Sequence, residues 1–376
     1  MTNKKLKIES LWCDLAGNVL ISIVECLYYV DQIRFRAVCK GWRSEIYGKV
    51  KYADNFPWIL ALRGISNRFT YASEMCYLYD PIHKQKYTIR NPILVASHIH
   101  ASKCGWLLLS RDTISTYRFS FYSPFTNKII ELPELDKRVS GKFFQRGKAT
   151  FSAPPTSSDC VICCVSTEVG INDKYFKEFR VSTCSPYEDR TWNDILLGLD
   201  GYKYNSLISQ IAYINGVFYF TFENKNSVMG AFTPGLPEWK AYPYAHKFSV
   251  YNDSLIESND DGENMLMASY DGTIEQWYVY EFHKTKLNWY EIEKLGNRML
   301  FVSCTSSSLQ RKGTGALANT IHIADNNYRL ECSSLSYNTQ YQSCPQIYGW
   351  IEANTQRMKI FTQRMKIFWI EPPQII

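Results

Sequence analysis

Apolar side chains at Val19, Leu20, Ile23, Val24 and Leu27 recur at steps of one, three, one and three. That spacing gathers them on one side of a helix, whereas a strand would split them between two faces. Asn18 stands just ahead as a candidate N-cap, its side-chain oxygen able to accept from a free backbone N–H. Asp31 marks a second helical start, after which Ile33, Ala37 and Val38 share a face. Trp42, Ile46 and Val50, at steps of four, predict a third helix. So few short helices keep too much surface in water to bury a core of their own. Their apolar stripe needs the rest of the chain or a second protein.

Helical spacing stops near residue 50. Brief apolar and aromatic runs follow, broken by Pro, Gly, Asn and Asp: PWILAL (57–62), CYLYDP (76–81), WLLL (106–109), CVICCVS (160–166), GVFYFTF (216–222), MLMASY (265–270), WYVYEF (277–282), MLFVSC (299–304) and IHIAD (321–325). Runs of this length and composition read as strands, and their number predicts an all-β domain. A unit recurs in 77–89, 119–132, 179–192 and 228–242: a strand, a small polar residue before proline, a polar turn, a second strand. Copies without the proline occur at 277–292 and 330–341. The prolines Pro81, Pro124, Pro186 and Pro234 stand 43, 62 and 48 residues apart. Hairpin repeats of about 40–50 residues are the signature of β-propeller blades. Five or six blades are expected, with a β-sandwich as the competing arrangement. Near the end TQRMKIF occurs twice in tandem, at 355–361 and 362–368. Two copies are too few for a coiled coil, so MKIFWI (365–370) is read as the closing strand of the last blade.

Composition fits this picture. Hydrophobic residues make up 45% and charged residues 21% of 376, which describes an ordered globular chain. The 27 Tyr and 20 Phe favour pleated surfaces. A net charge of +6 is too mild for a nucleic-acid binder, and no apolar run is long enough for a membrane helix. The polar start MTNKKLKIES lacks a signal-peptide core, so an intracellular protein, in nucleus or cytoplasm, is expected, with its twelve cysteines reduced. Cys26, Cys163, Cys164 and Cys304 sit in apolar runs as small hydrophobes.

Motifs for catalysis or metal binding are weak. Cys160-Val161-Ile162-Cys163-Cys164 holds a C-x-x-C but has no second ligand pair nearby, and it reads as a buried strand. His98, His100 and Cys104 could share a strand face, without an acidic partner in the segment. Gly141 to Thr150 misses the phosphate-loop spacing by one residue and puts Ala149 where a hydroxyl would hold magnesium. Gly313-Thr314-Gly315 is too short for a dinucleotide loop, and the acceptor pattern at Asn252 needs a secretory route to matter. No metal, cofactor or catalytic residue is assigned.

Trp12-Cys13-Asp14-Leu15, the Leu20/Ile23/Leu27 stripe and the run from Ile33 to Arg43, IRFRAVCKGWR, resemble an F-box in its plant form. The chain departs from that pattern at Ala16, where proline is usual, and at Asn18, where an acidic residue is common. Beyond it FPWIL, the YDP hairpin, CGWLLLS, SPFTNKIIELP, LGNRMLFVS and ANTIHIADN resemble plant F-box proteins carrying the C-terminal domain of unknown function 295, expected to be a kelch-like propeller. The resulting fold class is α+β multidomain: a polar tail (1–10), an all-α F-box (11–50), a connection with first strands (51–75) and a propeller (76–376). The resemblance implies a non-enzymatic substrate receptor of an SCF-type ubiquitin ligase. Its F-box would dock a Skp-type adaptor, and through it cullin and RING protein, with an unknown protein target on the propeller. Leu15, Leu20, Ile23, Leu27, Ile33, Val38 and Trp42 are the candidate docking residues, shared between internal core and partner contact. Arg34, Arg36, Lys40 and Arg43 would speed encounter with an acidic adaptor. A propeller enzyme or sugar-binding module, and an F-box scaffold outside any ligase, stand as alternatives.

Overall fold

The computed structural model describes residue 12 and residues 15–47, 56–64, 75–168, 178–187, 191–198, 208–222, 228–236, 238–243, 253–257, 265–271, 276–283, 285–303, 309–312, 319–324, 330–334 and 364–372. Helices α1 (Gly17–Glu25), α2 (Tyr29–Arg36) and α3 (Lys40–Ile46) come first. Their starts differ from the sequence expectation. Extended backbone at Ala16 opens α1 without a side-chain cap, which leaves Asn18 inside the helix. Likewise α2 opens from Tyr28, so Asp31 falls in its first turn. There the carboxylate faces the partly positive helix end and pairs with Arg34 at 3.1 Å. Cys39 caps α3, its Sγ accepting from the Trp42 N–H at 3.4 Å. Ala37 and Val38 lie past the end of α2 and do not extend the face of Ile33. Val50 lies outside the described residues.

The strands form six sheets. Blade one contains β1 (Trp58–Gly64), β2 (Met75–Asp80) and β3 (Gln85–Arg90). Blade two contains β4 (His98–Lys103), β5 (Trp106–Asp112), β6 (Thr116–Ser123) and β7 (Lys128–Asp136). Blade three contains β8 (Arg138–Val139), β9 (Lys142–Phe151), β10 (Ile162–Glu168), β11 (Glu178–Cys184) and β12 (Asn193–Gly198). Blade four contains β13 (Ile208–Ile214), β14 (Val217–Phe222), β15 (Val228–Phe232) and β16 (Trp239–Pro243). Blade five contains β17 (Asp253–Ile256), β18 (Met265–Asp271), β19 (Gln276–His283) and β20 (Asn288–Glu291). Blade six contains β21 (Arg298–Ser303), β22 (Leu309–Lys312), β23 (Thr320–Ala324) and β24 (Leu330–Ser334).

The last strand, β25 (Arg364–Ile370), pairs antiparallel with β1 from Trp58↔Ile370 to Gly64↔Arg364. It therefore completes the first blade, not the last, and joins the two ends of the chain in one sheet. The first TQRMKIF copy lies outside the described residues. Strands β25, β4, β9, β13, β17 and β21 each touch the next, and β21 meets β25, so the ring closes at six blades. A sandwich of two stacked sheets is excluded.

Each sheet buries both faces, because each blade packs on two neighbours. In β10, Cys164 belongs to the core shared with blade two, while Cys163 and Val165 face blade four. That is why CVICCVS is apolar throughout instead of alternating. The proline hairpins are the outer strand pairs β2–β3, β6–β7, β11–β12 and β15–β16, and the copy at 277–292 is β19–β20. The copy at 330–341 departs from them: its first half is β24, the edge strand paired to β23, and 335–341 lies outside the described residues. Blade six also carries a parallel pair, β21–β23. Tight two-residue turns at Cys104-Gly105 and Asn215-Gly216 have positive φ at both positions, as twisted hairpins require.

Candidate partner-docking site

The three helices share a small core of Leu20, Val24, Phe35, Trp42 and Ile46. The rings of Phe35 and Trp42 lie 4.3 Å apart, and the Trp42 indole N–H donates to the Trp12 carbonyl at 2.9 Å. Gln32 of α2 donates to the carbonyls of Val24 and Leu27 at 3.2 and 2.9 Å, satisfying acceptors at the end of α1. These contacts fix α1 against α2 and α3.

Two further faces of the module bear on docking. One rests on the propeller: Val30 is 2% exposed within the core of blades one and two, and Ile33, a turn later on α2, packs on the same cluster. Arg34 lies over the Tyr87 ring at 6.0 Å, and Tyr28 meets His83 edge-on at 5.8 Å. Burial, with the charges of Asp31 and Asp80 nearby, pushes the Tyr87 phenol up to about 12. The other face is an open groove of about 440 Å³ along α1, lined by Asn18, Val19, Ser22, Ile23, Cys26 and Leu27. Its lining is apolar apart from one amide and one hydroxyl, and none of it belongs to the blade cores.

The sequence-predicted residues therefore have different destinations. Leu20 and Trp42 are buried in the module, and Leu15 packs against the same core. Ile23 and Leu27 are half-buried, with one side on that core and the other on the groove. Ile33 turns to the propeller, and Val38 is 59% exposed on the turn after α2. Val30 was missed because the pattern started α2 at Asp31, although its spacing of three from Ile33 is the signal for a shared face. Cys26, read as a small hydrophobe in an apolar run, is exposed at the groove. Arg34, Lys40 and Arg43 are exposed, and Arg36 lies over the Tyr47 ring.

A second cluster sits where inner strands end in the central channel. Lys103 of blade two holds Glu257, next to β17 of blade five, at 2.9 and 2.7 Å. The Tyr213 N–H of blade four and the Thr150 hydroxyl of blade three also donate to Glu257, at 2.8 and 3.4 Å. Glu371, just past β25, accepts from the Cys104 N–H at 2.9 Å and pairs with Arg311. Each carboxylate thus has a cation, in a packed arrangement.

The weak motifs resolve locally. Cys163 and Cys164 point to opposite faces of β10 and cannot reach one ion. Burial pushes the Cys160 and Cys164 thiols up to about 12. His100 Nε2 lies 2.7 Å from the Ser110 hydroxyl, and burial, then His98 and Lys148, pushes it down to about 3. Residues 142–151 are strand β9, not a phosphate loop. The Gly313 pair and Asn252 lie outside the described residues.

Three helices with an open apolar groove, seated on the first blade of a six-bladed propeller, define a helical module joined to a β-propeller. A family model described as KIB1-4 beta-propeller matches residues 78–348. The chain belongs to the KIB1-4 beta-propeller family. An F-box/kelch-repeat protein of Arabidopsis thaliana is 27% identical over 325 residues, covering 84% of this chain and 84% of that one. An F-box protein of the same plant is 28% identical over 368 residues, covering 93% of this chain and 86% of its own. Another is 25% identical over 400, covering 100% and 76%.

Proposed function

We propose that this chain is the substrate-recognition subunit of an SCF-type ubiquitin ligase, working in the nucleus or cytoplasm. The α1 groove docks a Skp-type adaptor, and the propeller, the region likened to domain of unknown function 295, holds a protein target. The observation that carries this reading is the groove: Val19, Ile23, Cys26 and Leu27 offer contiguous apolar surface along α1, on a module that has a core of its own and rests on the blades through α2. The F-box names of the relatives support it. The chain's contribution is positional, since tethering makes ubiquitin transfer nearly intramolecular. No bond-making step is assigned to it.

Ile23 and Leu27 each gain about 1–2 kcal/mol when their remaining surface is covered, less than the full burial of such a side chain because both are half-buried already. Ile23→Asp with Leu27→Asp adds two desolvated charges and should lower adaptor affinity by at least about a hundredfold. The full-length chain is co-expressed with a Skp-type adaptor and purified through either partner, with far-ultraviolet circular dichroism to follow strand content. Loss of the adaptor with the strand signal intact is expected. Wild-type recovery of the adaptor with the double variant would assign docking to another surface. Target turnover that persists after deletion of residues 11–50 would favour a scaffold over a ligase receptor.

A further inference from the structure

The core on which the helical module packs draws on strands from both ends of the chain. Val30 shares one core with Trp58 of β1 and with Phe368 and Ile370 of β25, more than three hundred residues away in sequence. Ile33 packs on that cluster from the next turn of α2. The closing strand is itself held in two ways. Along its length it pairs with β1 over seven residues. Past its last residue, Glu371 accepts from the Cys104 N–H of blade two and pairs with Arg311 of blade six. Both blades that flank the seam therefore grip the tail of the strand whose Phe368 and Ile370 share the core on which Val30 packs.

We propose that ring closure and seating of the F-box are one cooperative unit, with the C-terminal strand acting as a strap. When the strap is in place, α2 lies on a complete blade and the α1 groove is held at a fixed angle to the propeller. When it is released, blade one loses part of the core on which Val30 and Ile33 rest, and the module comes loose. Linkage makes the effect mutual: whatever factor the strap contributes to seating, seating returns to the strap. The geometry thus ties presentation of the groove to an intact C-terminus, through contacts that do not touch the groove.

Hydrogen exchange of the full chain, read by mass spectrometry, tests this in both directions. Glu371→Ala loosens the tail, and Val30→Ala thins the seat. Glu371→Ala is expected to speed exchange at least tenfold in residues 365–370 and also in 30–36, while β14, on blade four, keeps its wild-type rates. Val30→Ala is expected to speed exchange in 365–370 by a similar factor. Glu371→Ala that opens 365–370 and leaves 30–36 unchanged would overturn the proposal. So would Val30→Ala that leaves 365–370 unchanged, and this second variant decides the matter if the first does not fold. Adaptor capture from the same samples tests the ligase reading separately.

Discussion

Lys103 and Glu257 belong to blades two and five, which stand opposite each other in a ring of six, yet their charged groups meet at 2.7 Å. Both side chains are about nine-tenths buried, at 9% and 10% exposure, so removing one charge strands the other away from water. Breaking such a pair from one side costs about 3–5 kcal/mol. The two single variants should differ within that range. In Lys103→Met the carboxylate keeps the Tyr213 N–H at 2.8 Å and the Thr150 hydroxyl, so the loss falls near the lower end. In Glu257→Gln the ammonium loses its counter-charge and keeps a neutral amide oxygen and the faces of Phe151 at 4.9 Å and Tyr213 at 5.9 Å, so the loss falls near the upper end. The double variant strands no charge, and its amide oxygen can still accept from Tyr213. It should cost about 1–2 kcal/mol, less than either single change. Urea unfolding followed by tryptophan fluorescence gives the four midpoints of the cycle. Independent sites add to within about 0.5 kcal/mol. If the double variant loses the sum of the singles, Lys103 and Glu257 are not a buried pair.

Two further predictions concern the blades. A Cβ at Gly230 would sit 2.2 Å from the Phe220 ring on the neighbouring strand, so Gly230→Ala should destabilise by about 1–3 kcal/mol, read as a lower urea midpoint. Burial pushes His322 down to about 4 and His100, with His98 and Lys148 nearby, to about 3, whereas the unfolded chain takes up these protons near pH 6.5. Stability from both histidines is therefore complete above pH 6.5 and lost as pH falls toward 4, with a slope of up to about 1.4 kcal/mol per pH unit for each. His322→Phe, which preserves a flat ring against Phe301, should remove one histidine's share of that slope in urea midpoints taken from pH 7.5 to 4.5.

Most of the propeller was legible because its repeating part is local. Each outer hairpin carries its own turn chemistry around Pro81, Pro124, Pro186 or Pro234, and the apolar runs on either side are strands whichever sheet receives them. Closure was not legible. The pairing of Trp58 with Ile370 depends on the ring's circumference, and no window of sequence contains both. MKIFWI therefore reads equally well as the end of blade six or the start of blade one's sheet. Blade six hid for a related reason. Its parallel β21–β23 pair breaks the hairpin rule, so LECSS was placed one strand too far inward in the repeat. The channel network is made of residues at five strand ends with β22, each unremarkable in its own segment, and only the ring brings Lys103 to Glu257.

The helical module shows a different limit. Spacing establishes that Leu20, Ile23, Val24, Leu27 and Ile33 face something apolar, but it does not tell apart the module's own core, the propeller and the outside protein proposed above. Leu20 and Val24 take the first, Val30 and Ile33 the second. Val19, Ile23, Cys26 and Leu27 retain surface for the third. A helix of nine residues has room for two faces, so a side chain at the border serves both, as Ile23 does, and Leu27 does the same from just past the helix end. Substituting Leu20 would then confuse folding with docking, because its side chain is 1% exposed before any partner arrives. The border positions separate the two effects, since truncating them removes partner surface first and core second. Val19, 42% exposed, should separate them most cleanly: it lines the groove and lies outside the buried core.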